Sequence, residues 1–305
     1  MSLRLEMLQV ARLAPQLLGD SADLVAEFLR SRLSDGGGFL DRDDRPDLYY
    51  TVFGLDGLAA LGAEMPVATV EPYLRSFGAG DDLDTVHLGC LARCWGALPG
   101  VEPDAAHRAR MLERFEALRR PDGGFALEPP KGDGGDSVEP EGAVYASFVA
   151  FGAYEDLGAE PPGRLALGDF LTLRALPNGA FANDPDLAVG TTPVSAAAIT
   201  LLRSLSRPVP EMAASWVADR LHRQGGFLAA PQAPMPDLLS TAVALHALAG
   251  LQYPLDTVVE PCLDFVDSLW TRRGGFHGHW ADDELDVEYT FYGLLALGHL
   301  SVWTR

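Results

Sequence analysis

The sequence predicts an all-α protein, a closed barrel of six helical hairpins forming one domain over residues 1–305. Three observations predict this fold. A helix-start pattern recurs six times, a glycine-aromatic turn precedes five of the six copies, and the helices before and after the turns differ in polarity. No stretch keeps the period-two alternation of a β-strand for more than a few residues. The sequence therefore favours a helical repeat protein.

Each turn combines glycine with an aromatic residue. Glycine adopts positive φ at little cost, so such a turn ends one helix and redirects the chain. The second repeat lacks the double glycine, and the third carries an insertion, Glu128 to Glu141, which we expect to be a surface loop or a flap over a site. The five turns are Gly37-Gly38-Phe39, Gly123-Gly124-Phe125, Asn178-Gly179-Ala180-Phe181, Gly225-Gly226-Phe227 and Gly274-Gly275-Phe276.

A helix-start residue follows each turn, with Thr or Ser four positions later. An Asp at the start accepts hydrogen bonds from the free N–H groups of the first helical turn. Leu or Trp stands ten residues beyond each Thr or Ser, so the register holds at both ends of the repeat. The six pairs are Asp47/Thr51, Asp81/Thr85, Ala143/Ser147, Thr191/Ser195, Asp237/Thr241 and Asp286/Thr290.

The helices before the turns are amphipathic, whereas those after them are apolar nearly all round, as in the stretch from Thr241 to Leu251. The first pattern is typical of a helix half in water, and the second of a helix surrounded by protein. We therefore expect outer and inner helices, with all inner helices parallel and the helix-start acids gathered at one rim. The amphipathic examples lie near Asp23 to Leu33, Asp104 to Leu118, Met212 to Leu221 and Asp256 to Trp270.

The charge balance excludes several classes of partner. The chain has 43 Asp and Glu against 23 Lys and Arg, a net charge of −20, which repels nucleic acid and anionic lipid surfaces. It has three cysteines and no apolar run near 18 residues, which argues against a disulfide scaffold and a membrane span. No cationic and apolar leader is evident, so the expected compartment is the reducing cytoplasm.

Repeated Gly-Gly-Phe turns, each followed by an Asp and an apolar helix, resemble the prenyltransferase and squalene-cyclase repeat from about Asp23 to Leu300. The resemblance implies the (α/α)6 toroid of protein prenyltransferase β subunits and terpene cyclases. It also implies a central apolar funnel that binds an isoprenoid such as a prenyl diphosphate. Whether a protein partner like the α subunit is required stays open.

The resembled protein prenyltransferases hold zinc with an Asp, a Cys two positions later and a His in the last repeat. The matching positions here are Asp237, Leu239 and Tyr289, so only the Asp is retained and the standard zinc site is not expected. Their diphosphate clamp uses an Arg and a Lys in the loop before that Asp. The loop from Phe227 to Asp237 contains neither, so a diphosphate would meet no cation from it.

The class II cyclases of the same group use an Asp-x-Asp-Asp motif whose middle Asp donates a proton. The stretch Asp81-Asp82-Leu83-Asp84 comes close but has Leu83 at the donor position. A rim Asp elsewhere would then have to serve as the acid.

Two acids and an aromatic residue are the predicted catalytic residues. Asp237 and Asp286 begin adjacent inner helices, and Tyr289 stands where the resembled enzymes have their zinc-binding His. Both acids would be N-caps in any helix, which is the competing structural explanation. Side chains expected to bind substrate lie at the mouth of the barrel, where rings can stabilise a carbocation. They are Tyr50, Tyr145, Phe291, Tyr292 and Asp47.

A metal site is a further hypothesis. His277 and His279, followed by Asp283, could bind a divalent ion, against the alternative of solvent-exposed loop histidines. Mg²⁺ held by the acidic rim could also bridge a diphosphate.

Three functions therefore remain open. The first, which we prefer from the fold, is a prenyltransferase-like enzyme that transfers or processes an isoprenoid with a changed polar site. The second is a proton-initiated cyclase that uses a rim Asp. The third is a non-catalytic toroid that binds an isoprenoid or a protein.

Overall fold

A computed structural model gives the fold and describes residues 2–129, 141–187 and 189–304. The all-α prediction is confirmed, with one short antiparallel ladder of β1 (Phe39–Leu40) and β2 (Pro46–Asp47) in the first turn. Over the described residues the helices are α1 (Leu3–Ala11), α2 (Pro15–Leu18), α3 (Ser21–Ser31), α4 (Leu48–Ala60), α5 (Val67–Ser76), α6 (Thr85–Ala97), α7 (Ala105–Ala117), α8 (Val144–Asp156), α9 (Arg164–Leu173), α10 (Thr192–Ser204), α11 (Ala213–Ala218), α12 (Leu238–Gly250), α13 (Val259–Leu269) and α14 (Val287–Ser301).

Six inner helices form a closed ring. In order they are α4, α6, α8, α10, α12 and α14; each packs on the next, and α14 packs on α4. The outer helices α3, α5, α7, α9, α11 and α13 alternate with them along the chain. The predicted toroid of six hairpins is therefore confirmed.

The glycine-aromatic turns are fixed to the inner helices by a repeated hydrogen bond from the phenylalanine N–H to a Thr or Ser hydroxyl. In the fifth repeat the Phe227 N–H donates to Thr241 Oγ1 over 2.9 Å, and that hydroxyl donates to the Asp237 carbonyl over 2.7 Å. The turn phenylalanines are all fully buried. The recurring Thr or Ser thus serves to satisfy a buried backbone N–H in the preceding turn. The equivalent N–H to hydroxyl bonds join Phe39 to Thr51, Phe125 to Ser147, Phe181 to Ser195 and Phe276 to Thr290.

Five of the predicted helix starts are confirmed, since the N-caps of α4, α8, α10, α12 and α14 are the expected residues. The second start is wrong. Helix α6 begins at Thr85 with Asp84 as its cap, because an Asp84 oxygen accepts from the His87 N–H over 2.8 Å. Asp81 lies in the loop before it and pairs with Arg110.

The first helix, α1, closes one end of the ring and was not predicted. It packs against α14, α4 and α8. The Leu3 N–H donates to Glu155 over 2.8 Å, and Glu6 pairs with Arg203 at 2.8 Å. Both partners lie near the C-terminal ends of inner helices. The helix therefore covers the C-terminal end of the barrel, and among the described residues it does not cover the N-terminal rim.

The insertion predicted between Glu128 and Glu141 lies mostly outside the described residues. Within the described ranges, no helix combines the length and apolar character needed to cross a bilayer.

Candidate functional site

The inner ring encloses a cavity of about 520 Å³. All six inner helices contribute to its lining, and Leu3, Arg4 and Met7 of α1 form part of its closed end. A volume of about 300 to 1,000 Å³ is usual for a small-molecule site. The wall is mostly apolar, with contributions that include Val52, Val86, Phe148, Val149, Ala197 and Val243.

Aromatic side chains are concentrated where α4 and α14 line the cavity. Tyr49 packs edge-on against Phe53 with ring centroids 5.0 Å apart, and Phe53 lies 5.4 Å from Tyr292. Tyr145 of α8 also lines the cavity and is half exposed. The prediction that Tyr145 and Tyr292 lie at a substrate-binding surface remains a proposal, but the structure places both rings on the cavity wall. Their faces could stabilise positive charge on a bound molecule.

Glu288, in the first turn of α14, is a buried acid beside this aromatic group. The Tyr49 hydroxyl donates to Glu288 Oε1 over 2.6 Å. Burial raises the pKa of Glu288 to about 7, although the Tyr49 hydrogen bond acts in the opposite direction. Tyr292 follows Glu288 by four residues and therefore lies on the same face of α14. Glu288 is not itself among the residues that line the cavity, and it contacts the wall through Tyr49, which does line it.

The closed end of the cavity, called the floor here, carries charged groups. It is formed by Arg4, Arg93 and Asp156, all of which line the cavity. Arg4 Nε donates to Asp156 over 3.0 Å, and Arg93 donates through Nε and Nη2 to Asp56, at 3.0 and 2.7 Å. Burial raises the pKa of Asp156 to about 6 against the opposing effect of the arginines. The charges of Arg4 and Arg93 are therefore balanced by those of Asp56 and Asp156.

The predicted catalytic acids are helix caps at the rim. Asp237 accepts from the Ser240 N–H over 2.7 Å, and Asp286 accepts from the Tyr289 N–H over 2.8 Å. Arg42, which belongs to the loop of the first repeat, also binds Asp286 at 2.7 Å. Burial raises the pKa of both acids. Neither is among the residues that line the cavity.

Tyr289, the third predicted catalytic residue, packs against the last glycine-aromatic loop. Its ring lies 5.5 Å from the Arg42 guanidinium, and a side chain at Gly278 would collide with it. At the other positions that match the resembled zinc site, Asp237 is occupied as a cap and Leu239 lines the cavity. This donor set does not suit zinc, which takes sulfur, nitrogen and carboxylate ligands in a tetrahedron.

The proposed metal ligands His277, His279 and Asp283 are not brought together as a ligand set. His277 Nδ1 lies 2.8 Å from the Glu284 carbonyl, and His279 Nδ1 accepts from the Ala281 N–H over 3.2 Å. Both rings are thus engaged with their own loop. Across the described residues, no group of three or more His, Cys, Asp and Glu side chains is arranged to hold a metal ion.

The remaining predicted substrate residues lie beside the cavity rather than on its wall. Phe291 is fully buried and packs on Phe53 at 5.9 Å. Asp47 caps α4 by accepting from the Tyr49 and Tyr50 N–H groups. The carboxyl of Asp47 faces a separate surface pocket between α4 and α6. Asp47, Tyr50 and Phe291 are therefore not among the residues that line the cavity.

Sequence reasoning missed Glu288, Arg93 and Asp156. Glu288 stands two residues after the cap of α14, and its position on the first turn was visible in the sequence. Its burial follows from the packing of α14 on α4, which a single sequence does not reveal. Arg93 and Asp156 are charged residues within apolar helices, which is a usable signal because buried charges need partners.

Comparison with known proteins places this architecture in a family. A family model for the prenyltransferase alpha-alpha toroid domain matches residues 10–88 and 171–305, more than half of the chain. A search of curated proteins found no match.

Solved structures give the same fold at low sequence identity. A variant of the type II terpene cyclase MstE from Scytonema, in complex with geranylgeranyl dihydroxybenzoate, is 13% identical with a TM-score of 0.62, covering 95% of this chain and 98% of that one. A protein from Actinoplanes is 15% identical with a TM-score of 0.56, covering 94% and 99%. Candida albicans protein geranylgeranyltransferase-I complexed with GGPP is 15% identical with a TM-score of 0.50, covering 99% and 83%. These likenesses show the fold alone, whereas the family match shows that the chain belongs to the prenyltransferase alpha-alpha toroid family.

Proposed function

We propose that this protein binds an isoprenoid in its central cavity and cyclises it by protonating an alkene, with Glu288 as the acid. The observation that carries the proposal is a buried carboxyl with a pKa near 7 beside the aromatic part of an apolar cavity. The similar structures support the ligand class, because one is a type II terpene cyclase with a geranylgeranyl substrate and another holds GGPP.

The chemistry uses groups of this chain alone. Glu288 Oε1 accepts from Tyr49, which leaves Oε2 to carry the acidic proton. Transfer of that proton to a trisubstituted alkene gives a tertiary carbocation, and the π electrons of the next alkene attack it to close a ring. Loss of one proton from the final cation restores the balance, and Glu288 regains a proton from solvent. The reaction therefore has no net proton consumption.

Aromatic rings supply the electrostatic stabilisation that the cation needs. The faces of Phe53, Tyr49 and Tyr292 lie within one connected group on the wall next to the acid. An apolar, water-poor cavity also protects a carbocation from premature capture. Arg93 lies 6.0 Å from the Phe53 ring, and its positive charge would repel a carbocation. The substrate's positive charge is therefore best stabilised on the side of the ring group that faces away from the floor.

Prenyl transfer to a thiol, the activity of the resembled protein prenyltransferases, has less support. It requires a group that activates the thiol and cations that receive the diphosphate. The positions Asp237, Leu239 and Tyr289 do not provide a zinc site. Arg42, the cation that contacts the rim acid Asp286, is already bound to both Asp282 and Asp286. Cyclisation needs neither feature, and it needs no partner subunit because every group that it uses belongs to this chain.

The test is incubation of the purified protein with neutral polyprenes and prenylated phenols in buffered D2O. We expect a cyclised product that has gained one deuterium at the carbon that receives the proton. Glu288→Gln should lower the rate by at least about a hundredfold, since general acid catalysis contributes roughly 10²- to 10⁴-fold. Glu284→Gln is the matched control, because Glu284 lies in the exposed loop before α14 and should leave the rate unchanged.

Two results would contradict the proposal. One is a cyclised product formed at the wild-type rate by Glu288→Gln. The other is tight binding of these polyprenes by a folded wild-type protein with no cyclised product from any of them, which would leave an isoprenoid-binding toroid without this activity.

A further inference from the structure

The floor of the cavity is polar although the wall above it is apolar. Arg4 reaches it from α1, Arg93 from α6 and Asp156 from α8, and all three line the cavity. Most of their hydrogen-bonding groups are used within the protein. Arg4 donates to Asp156 and to the Gly96 carbonyl. The floor is thus a built structure that holds its charges in fixed positions.

Each floor arginine keeps one nitrogen that makes no hydrogen bond to a described residue: Arg4 Nη1, which lies 3.6 Å from Asp56, and Arg93 Nη1. Arg93 uses Nε and Nη2 on Asp56, and its Nη1 donates to no described residue. The Arg93 side chain keeps 20% of its surface exposed while lining the cavity, whereas its partner Asp56 keeps 1%. A guanidinium N–H with no protein partner is available to an acceptor in the cavity.

Asp156 offers an acceptor on the lining of the same cavity. Asp156 makes its hydrogen bond to Arg4 through Oδ1, and no described residue donates to its Oδ2. The Asp156 side chain is 5% exposed and lines the cavity. The floor therefore offers N–H donors and a carboxylate acceptor to a bound molecule, a combination that suits a hydroxyl group.

We propose that the floor is a binding subsite for the uncharged, oxygen-bearing end of an isoprenoid, such as a prenyl alcohol or a prenylated phenol. The oxygen would accept from Arg93 and donate to Asp156, and the hydrocarbon chain would extend toward the rim. The proposal rests on the proposed function only for the class of ligand. It adds which end of the ligand lies deep in the cavity and which substrates are preferred.

The charge on the floor selects against a diphosphate. The positive charges of Arg4 and Arg93 are balanced by Asp56 and Asp156, at distances of 2.7 to 3.6 Å. A diphosphate would bring several negative charges beside these two carboxylates with no surplus cation to receive them. Burying an unpaired charge is costly, whereas a neutral hydroxyl needs only hydrogen bonds.

The geometry of the barrel is consistent with this orientation. Tyr145 and Asp156 both line the cavity and lie near opposite ends of α8. Eleven residues of helix separate them, which is roughly 16 Å at 1.5 Å per residue. A chain anchored by its oxygen at the floor would therefore reach the level of Tyr145 and the first turn of α14, where Glu288 lies. Its distal alkene would be the one that meets the acid.

The first experiment measures binding. Geranylgeraniol, geranylgeranyl diphosphate and the matched hydrocarbon without oxygen are titrated into the wild-type protein. We expect the alcohol to bind at least about tenfold more tightly than the hydrocarbon, as for a hydrogen bond to a charged group, and the diphosphate to bind no more tightly than the alcohol. In Arg93→Met combined with Asp56→Asn, the preference for the alcohol should fall to within about twofold.

The controls separate the subsite from general stability. Arg110→Met removes an arginine on the outer surface that pairs with Asp81, and it should keep the wild-type preference. If the double variant does not fold, Arg93→Lys keeps the charge but loses the bidentate bond to Asp56, and it should reduce the preference in part. A folded double variant that keeps the full preference, or a wild-type protein that prefers the diphosphate, would overturn the proposal.

The second experiment measures orientation in the wild-type protein. A geranylgeraniol analogue with a diazirine on the carbon next to the oxygen should label the C-terminal halves of α6 and α8 after irradiation. The same group on the distal isoprene should label the first turns of α4 and α14. The reversed pattern would overturn the proposal. Neither experiment requires turnover. The subsite proposal can therefore be contradicted while cyclisation is observed, and it can be supported while no cyclisation is observed.

Discussion

Replacing Thr241 by Val removes the hydroxyl that links a glycine-aromatic turn to its inner helix while preserving the shape of the side chain. Thr241 is fully buried in α12. Its Oγ1 accepts from the Phe227 N–H at 2.9 Å and donates to the Asp237 carbonyl at 2.7 Å. The Asp237 carbonyl keeps a second donor, the Thr241 N–H at 3.0 Å. The Phe227 N–H loses this acceptor inside the protein.

The cost of that loss can be estimated. A buried donor left without a partner costs about 1 to 3 kcal/mol. The unfolding entropy of roughly 2.1 cal/mol/K per residue gives about 0.6 kcal/mol/K for 305 residues. We therefore expect Thr241→Val to lower Tm by about 2 to 5 °C. Thr241→Ser keeps the hydroxyl and should recover most of the difference, apart from the cost of a lost methyl group.

Thermal unfolding followed by circular dichroism measures the shift, and Thr200→Val provides the matched control. Thr200 is also buried on an inner helix, but its hydroxyl only donates to the Ala196 carbonyl within that helix, so no backbone N–H depends on it. Its replacement should cost clearly less. Equal shifts for the two valine variants would refute the idea that the repeated Thr or Ser is retained to satisfy the turn.

Three further predictions concern the rim, the acid and the cavity. Arg42→Met should destabilise the protein by about 1 to 3 kcal/mol in denaturant titration, because it leaves the Asp286 side chain, which is 1% exposed, without its cation. The control Arg45→Met, on the exposed surface, should cost less than about 0.5 kcal/mol. The pKa of Glu288 is raised from 4.5 to about 7 in the folded state, so its favourable contribution is present below pH 4.5 and is lost as pH rises through 7. The wild type should lose up to about 3 kcal/mol relative to Glu288→Gln between pH 5 and pH 8 in unfolding titrations, and parallel pH profiles would contradict the assignment. Gly152→Ala should raise the free energy of unfolding by up to about 1 kcal/mol, because Ala favours a helix more than Gly does and nothing lies within 4 Å of the added carbon. Gly152→Leu should fill part of the cavity and weaken polyprene binding, as measured by fluorescence titration.

The repeat architecture was predictable because one local pattern specifies it many times. Asp237 and Asp286 stand before their inner helices in the same register, and both cap as expected. The register failed at Asp81 because the sequence offers three acids before Thr85. The choice of Asp84 depends on the geometry of the loop, which composition does not encode. Helix α1 was missed because it belongs to no repeat.

The site was predictable in location but not in its individual groups. Residues at the starts of inner helices do converge at one rim. The carboxylates of Asp237 and Asp286, however, already accept hydrogen bonds from backbone N–H groups of their own helices. The acid beside the cavity, Glu288, is defined by its contact with Tyr49, 239 positions earlier in the sequence. Such a pairing follows from closure of the ring, which no local pattern reports.

The position of α1 has a consequence for how this molecule comes apart. An open solenoid can fray from either terminal repeat, since each repeat contacts only its neighbours. Here α14 packs on α4, and α1 packs on both of them, so the first and last segments of the chain hold each other in place. Hydrogen exchange should accordingly find no terminal hairpin that opens well before the rest. The ring is also completed only when α14 is available, so a growing chain could not seat α1 against both neighbours until α14 had been made.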